Sequence, residues 1–307
     1  MAKKPGAGGL LDPTLNLNPV DAAGLDLRGK TVAVIGGTNG LGRAIARLAA
    51  AQGARVLVVG RSFRDEGTAN LEHVPADLAS MQEAQRVGRA LPAEDLDLVV
   101  FTTGIIAAPK RETTAEGLER DMAVSYLSRL AILRELAPRL RKSTPPTRIF
   151  VMGFPGTGQA ADLTDLDGAR NYAAMTVHMN TVAGNEALVL DAVRRYPHAE
   201  FYGLNPGLIK TDIRANYMGE GSLKHRLVET ILGWFTITPE TYAKRILPVL
   251  VAPELTGRSG AMFNPKPKAI LPSAVLDGAH VADLITRSEA MIAGVVSSPS
   301  TRPGRRA

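Results

Sequence analysis

The sequence predicts an α/β protein: a single doubly wound parallel sheet with helices on both faces and a small C-terminal lid. Three observations predict it. Short β-branched apolar runs alternate with helix-period segments, and a glycine-rich turn joins the first such run to the first helix. A chain of 307 residues that is 45% hydrophobic and 21% charged can bury one sizeable core.

Residues 1–27 are rich in Pro, Gly, Asn and Leu without period and read as an extended or disordered arm. Thr31–Ile35 and Ala54–Val59 are β-branched runs bounded by glycines, as buried parallel strands require. Between them, Leu41, Ile45, Leu48 and Ala49 fall on one face of a helix that Gly53 stops. Further strands are expected at Leu96–Phe101, Arg148–Met152 and Glu200–Leu204, with a weaker one at His73–Pro75. Helical patterns cover Ser80–Ala90, Thr114–Arg141 and Met175–Arg195. No break marks a second domain, so 28–290 reads as one unit and 291–307 as a disordered tail. Residues 212–240, with Ile231-Leu-Gly-Trp234-Phe, read as a lid of short helices over a substrate cleft. That apolar stretch is too short and interrupted to anchor a membrane.

Composition excludes several classes. Without cysteine there are no disulfides, thiolate metal sites or cysteine nucleophiles, and a reducing, cytoplasmic setting is expected. The N-terminus lacks a signal-peptide core, and no apolar run is long enough to span a bilayer. The net charge of +6 is partly terminal (Lys3, Lys4, Arg302, Arg305, Arg306), and aromatics are 5%, so no nucleic-acid face is expected. His73, His178, His198, His225 and His280 show no ligand spacing, and no metal site is expected.

The motif that carries chemistry is Gly36-x-x-x-Gly40-x-Gly42, set between strand and helix. Glycines let the backbone turn and approach an anion, and a helix start offers free N–H groups with the positive end of its dipole. This spacing resembles the short-chain dehydrogenase/reductase family. Ala76-Asp77-Leu78, Phe101-Thr-Thr103-Gly104 and Asn205-Pro206-Gly207-Leu-Ile209-Lys-Thr211 resemble later family motifs in the same order. The resemblance spans about residues 28–265 and implies a Rossmann-type fold binding NAD or NADP at the switch point. It implies cofactor contacts at Gly36, Thr38, Asn39, Gly40, Leu41, Gly42, Asp77, Leu78, Thr103, Gly104, Pro206, Gly207, Ile209 and Thr211. The second strand ends in Arg61-Ser62 where an NAD enzyme would place an acid; Arg61 can clamp a 2′-phosphate and Ser62 can donate to it, so NADP is expected ahead of NAD.

The family's catalytic serine, asparagine, tyrosine and lysine are all replaced. Aligned on the family, Gly153 and Phe154 stand at the serines and Ser125 at the asparagine. A retinol-dehydrogenase-like register through Asn185, Asp191 and Arg194-Arg195 puts His178 at the tyrosine and Val182 at the lysine. Tyr172 offers a rival register, with Thr176 at the lysine, but its separation from Pro206 fits the family less well. As an acid–base group an imidazole would need no lysine beside it. Two functions are therefore expected in parallel. One is an atypical NADP-dependent oxidoreductase acting on a carbonyl, alcohol or activated double bond of a small molecule. The other is a catalytically silent NADP(H)-binding sensor or scaffold. The resemblance further implies pairing into a homodimer or homotetramer through the long helices.

Overall fold

The structure, a computed structural model, describes residues 8–18, 20–207 and 237–297. Eight strands form one sheet in the order β3-β2-β1-β4-β5-β6-β7-β8. They are β1 Thr31–Ile35, β2 Arg55–Gly60, β3 Leu71–Pro75, β4 Leu98–Phe101, β5 Arg148–Met152, β6 Glu200–Leu204, β7 Met262–Phe263 and β8 Ala269–Ile270. All neighbours are parallel except β7 with β8. The strand order reverses between β1 and β4, which opens the crevice where such sheets bind ligands.

Strand side chains alternate between two cores. Ala33, Ile35, Leu57, Val59, Val99 and Phe101 face α2 (Met81–Ala90), α4 (Ser128–Leu136), α5 (Ala174–Arg195) and α7 (Gly278–Val296). Val32, Val34, Val56, Val58 and Val100 face α1 (Gly40–Ala51) and α6 (Pro239–Leu250). Both faces are covered, as the parallel pairing demands.

The expected helix over Thr114–Arg141 is broken. Gly117 takes φ +83°, Thr113 bridges Glu119, and Glu119 caps a short helix α3 (Arg120–Met122) through the Met122 N–H. A π-turn over Ala123–Leu127 then leads into α4, with the Ser128 N–H reaching Ala123 O, and Pro138 tightens the end into a 3₁₀ turn. The third strand starts two residues earlier than expected, at Leu71. Ahead of β1, Leu15, Ala22 and Leu27 are buried, and Leu11 bridges Ile270. Helix α7 runs to Val296 with Ile292 buried, so the amphipathic period continues past the compositional boundary at 291. Most of the lid expected at 212–240 lies outside the described residues.

Candidate active site

The cofactor loop follows from steric demands at two glycines. Gly36 has φ +87°, and a Cβ there would lie 2.7 Å from the Thr103 amide nitrogen. A Cβ at Gly42 would collide with Gly36 O and Thr102 Oγ1. Thr102 and Thr103 donate their hydroxyls to Ile35 O at 2.9 and 3.3 Å, tying the end of β4 to the loop. Thr102 stands where the family resemblance places an asparagine and Thr103 where it places an alanine, and both hydroxyls make an anchoring bond. Helix α1 starts at Gly40, and the N-cap Asn39 makes no side-chain capping bond to the first turn. Backbone that no side chain can fill therefore faces a helix N-terminus, which suits the pyrophosphate of a dinucleotide.

Around that loop, Thr38 packs on Gly60 at the end of β2, and Leu41 turns into the core behind it. Arg61 and Ser62 follow, both exposed at the carboxyl edge. Asp65, a few residues on, is buried and accepts from Arg43 at 2.7 Å and Arg47 at 2.6 Å. The Arg43 hydrogen bonds hold its carboxyl below the usual range. That carboxylate is committed to Arg43 and Arg47 of α1. Asp77 is exposed after β3 and accepts the Ala79 N–H at 3.1 Å, while Leu78 is a core side chain. Gly104 continues from Thr103; Pro206 and Gly207 leave β6, with the Gly207 N–H donated to Asn205 Oδ1 at 2.8 Å. Ile209, Thr211 and Trp234 lie outside the described residues.

The chemistry converges on α3, the π-turn and α5. His178 Nδ1 is 2.7 Å from Asp121 Oδ2, and Asp121 Oδ1 accepts the Ser125 hydroxyl at 2.5 Å. Ser125 Oγ accepts the Ile105 N–H at 2.9 Å. A carboxylate oxygen accepts, so the bond between them is made by the imidazole tautomer that carries its proton on Nδ1. Residues four apart overshoot a 3.6-residue turn by about 40°. The wider π-turn removes much of that overshoot and brings Asp121, Ser125 and Arg129 towards one line.

Val182, which the family resemblance aligns with the lysine, is buried on α5. Arg129 of α4 donates its guanidinium to Thr103 O, Met152 O and Asn185 Oδ1, and Asn185 in turn donates to Ser125 O at 2.9 Å. Tyr172 lies before α5 and donates to Ala108 O at 2.6 Å; burial, then Glu119 and Asp121, push its phenol up to about 12. A proton acceptor so raised is a poor partner for chemistry at neutral pH. Glu119 is 1% exposed, and burial pushes its carboxyl up to about 7. Asp121, Arg129 and Glu119 escaped the sequence reading. The polar spacing 121, 125, 129 inside an apolar segment was the available signal for the first two.

Among the described residues, no group of three or more His, Asp or Glu side chains could hold a metal, and no helix is long and apolar enough to cross a membrane. The short chain dehydrogenase pattern matches residues 30–156. An uncharacterized oxidoreductase of Saccharomyces cerevisiae, YKL107W, is 44% identical over 289 residues, covering 92% of this chain and 94% of its own. Polyprenol dehydrogenase of Mus musculus is 28% identical over 269 residues, covering 78% and 77%. A Beutenbergia cavernae structure described as an NAD(P)-dependent gluconate 5-dehydrogenase, with NADP at low occupancy, superposes with a TM-score of 0.58 at 22% identity, over 77% of this chain and 95% of its own. The structural likeness carries the fold, and the yeast relative carries the family across nearly the whole length: this chain belongs to the short-chain dehydrogenase/reductase family.

Proposed function

We propose that this protein is an NADP-dependent oxidoreductase acting on a carbonyl, alcohol or activated double bond of a small molecule, with His178 as its acid–base group. The observation that carries this reading is the 2.7 Å pairing of His178 with the buried Asp121, and the family resemblance aligns His178 with the catalytic tyrosine. A reduced nicotinamide, when bound, supplies the hydride to the carbonyl carbon. His178 gives the Nε2 proton of its imidazolium to the developing alkoxide, so that hydride plus proton yields the alcohol. Asp121 keeps the second proton on Nδ1 and offsets the imidazolium charge. Arg61 and Ser62 at the end of β2 support NADP, since a carboxylate there would repel a 2′-phosphate. The cavity beside Asp121 is lined in part by Ile105, Ile106 and Ala108, which supports a substrate with an apolar portion.

Val182 favours a second reading, an NADP(H)-binding sensor or scaffold, because α5 lacks the cation that would bind the nicotinamide ribose. One experiment separates the two. NADPH and NADH are titrated by nicotinamide fluorescence, and a panel of aldehydes and ketones is assayed with wild type and His178→Ala. Tighter binding of NADPH is expected, with turnover that falls at least 10²-fold in His178→Ala while binding persists. Equal turnover in the variant sinks the acid–base role. Binding without turnover leaves the sensor, and failure to bind either nucleotide sinks both readings.

A further inference from the structure

Arg129 is the one fully buried cation among the described residues, at 3% exposure. Its guanidinium reaches three elements: Thr103 O just beyond β4, Met152 O at the end of β5, and Asn185 Oδ1 on α5 at 2.8 Å. Its Nε is buried without a hydrogen-bond partner, and among the described residues no carboxylate pairs with it directly. Burial pulls its guanidinium down to about 9, and the charge of Asp121 opposes that pull. Asn185 accepts from Arg129 at 2.8 Å and donates to Ser125 O at 2.9 Å, and Ser125 donates its hydroxyl to Asp121, so one amide and one serine link the cation to the carboxylate; a Cβ at Gly104 would stand 3.8 Å from both Arg129 Nη2 and Ser125 Oγ.

Carbonyls offset only part of the cost of burying a full charge, and an uncompensated buried ion costs several kcal/mol. Asp121 poses the mirror-image problem, being fully buried with two neutral-capable donors, Ser125 and His178. The two burials offset each other only if both are kept.

We propose that Arg129 is a positioning residue of this site: it braces the carboxyl ends of β4 and β5 against α5 and is the fixed countercharge of Asp121. It supplies from α4 the positive charge that Val182 withholds from α5. The inference rests on the reading of Asp121 and His178 as the acid–base pair.

The test is a double-mutant cycle on cofactor-free protein, with urea unfolding of wild type, Arg129→Met, Asp121→Asn and the double variant, and with Arg129→Lys made in both the wild-type and the Asp121→Asn backgrounds. Arg129→Met is expected to lower the folding equilibrium constant at least tenfold more in the wild-type background than in the Asp121→Asn background. Arg129→Lys, which keeps the charge but not the fork, is expected to show a loss of the same size in both backgrounds. If Arg129→Met alone does not fold, a cooperative transition regained in the double variant supports the countercharge. Equal losses for Arg129→Met in the two backgrounds, or failure to fold in both, overturn it. No substrate enters this cycle, so its failure is distinct from a failure of His178→Ala to lose turnover.

Discussion

Asp121 Oδ2 and His178 Nδ1 meet at 2.7 Å across 57 residues of sequence, joining α3 to α5. The carboxylate is fully buried and the imidazole side chain is 22% exposed, so the pair has one fixed end and one end open to a reactant. Replacing Asp121 by Asn keeps the shape but presents an amide that can donate to Nδ1, which favours the wrong tautomer. Turnover in Asp121→Asn is therefore expected to fall about 10²-fold or more, with the NADPH Kd unchanged. Steady-state rates with a fluorescence titration of the same preparation check this, and wild-type turnover in the variant would remove Asp121 from the mechanism.

Arg61 is exposed at the end of β2, whereas Arg43 and Arg47 are held by Asp65. On the proposed reading Arg61 meets the 2′-phosphate. Arg61→Glu is expected to weaken NADPH binding about 10- to 100-fold, as the loss and reversal of one charge-assisted contact implies. NADH affinity should hold or improve. Parallel titrations give the answer, and an unchanged ratio of the two affinities would place the phosphate elsewhere.

The fold was largely legible because its signals are local. Val32 and Val34 alternate with Ala33 and Ile35, Gly53 takes φ +95° where the first helix stops, and each major strand lay within two residues of its expected start. The two-residue strands β7 and β8 are too short to show a period. The long helix was misread because its break depends on Gly117 and on Glu119 turning back to cap Met122, and a π-turn leaves no residue signature. At the site, the glycine loop was legible because backbone geometry dictates residue type. The Asp121–His178 and Arg129–Asn185 contacts arise from tertiary packing 57 and 56 residues apart, which no local pattern records.

Gly42 carries a prediction that separates binding from chemistry. Its Cβ position is taken by Gly36 O and Thr102 Oγ1, both fixed by the sheet. In Gly42→Ala the loop must shift away from β4, at a stability cost of about 1–3 kcal/mol, as for other overpacked sites. NADPH affinity is expected to drop at least tenfold while the His178–Asp121 pair stays in place. A folded Gly42→Ala protein with native affinity would show that the loop is not the phosphate cradle.

Glu119 makes stability depend on pH. Its carboxyl is raised to about 7 by burial, with its ordinary value at 4.5. Between these values the folded state holds a proton that the unfolded chain has released. Stability therefore falls as pH rises through that window and levels off above about pH 7. Arg111 opposes the shift and Asp121 adds to it. Glu119→Gln keeps an acceptor for the Met122 N–H and loses the charge. It is expected to remove a few kcal/mol of this pH-dependent loss, so that its advantage over wild type grows from pH 5 to pH 7.5. Urea unfolding across that range decides, and parallel curves for the two proteins would rule the carboxyl out as the source.

Helix α7 bears on assembly. Tyr126 donates to Ser288 Oγ at 2.9 Å, and Arg134 joins Asp191 of α5 at 2.7 Å to Glu289 of α7 at 2.5 Å. Val281, Leu284, Ile285 and Ile292 share one core with Val177, Leu188 and Ala192 of α5, while the outer face of α7 is mostly exposed. The helix thus covers the α4–α5 surface through which the family resemblance implies pairing. A second copy docking there would have to displace a fully buried apolar seam. Pairing through this face is therefore not expected: were light scattering to show a dimer, crosslinks across its interface should fall outside Arg134 and Ser288. Leu284→Ala should cost about 2–4 kcal/mol in urea unfolding, as for a leucine removed from a packed core. A stable dimer in wild type whose interface maps to Arg134 and Ser288 would mean that α7 does not hold this face.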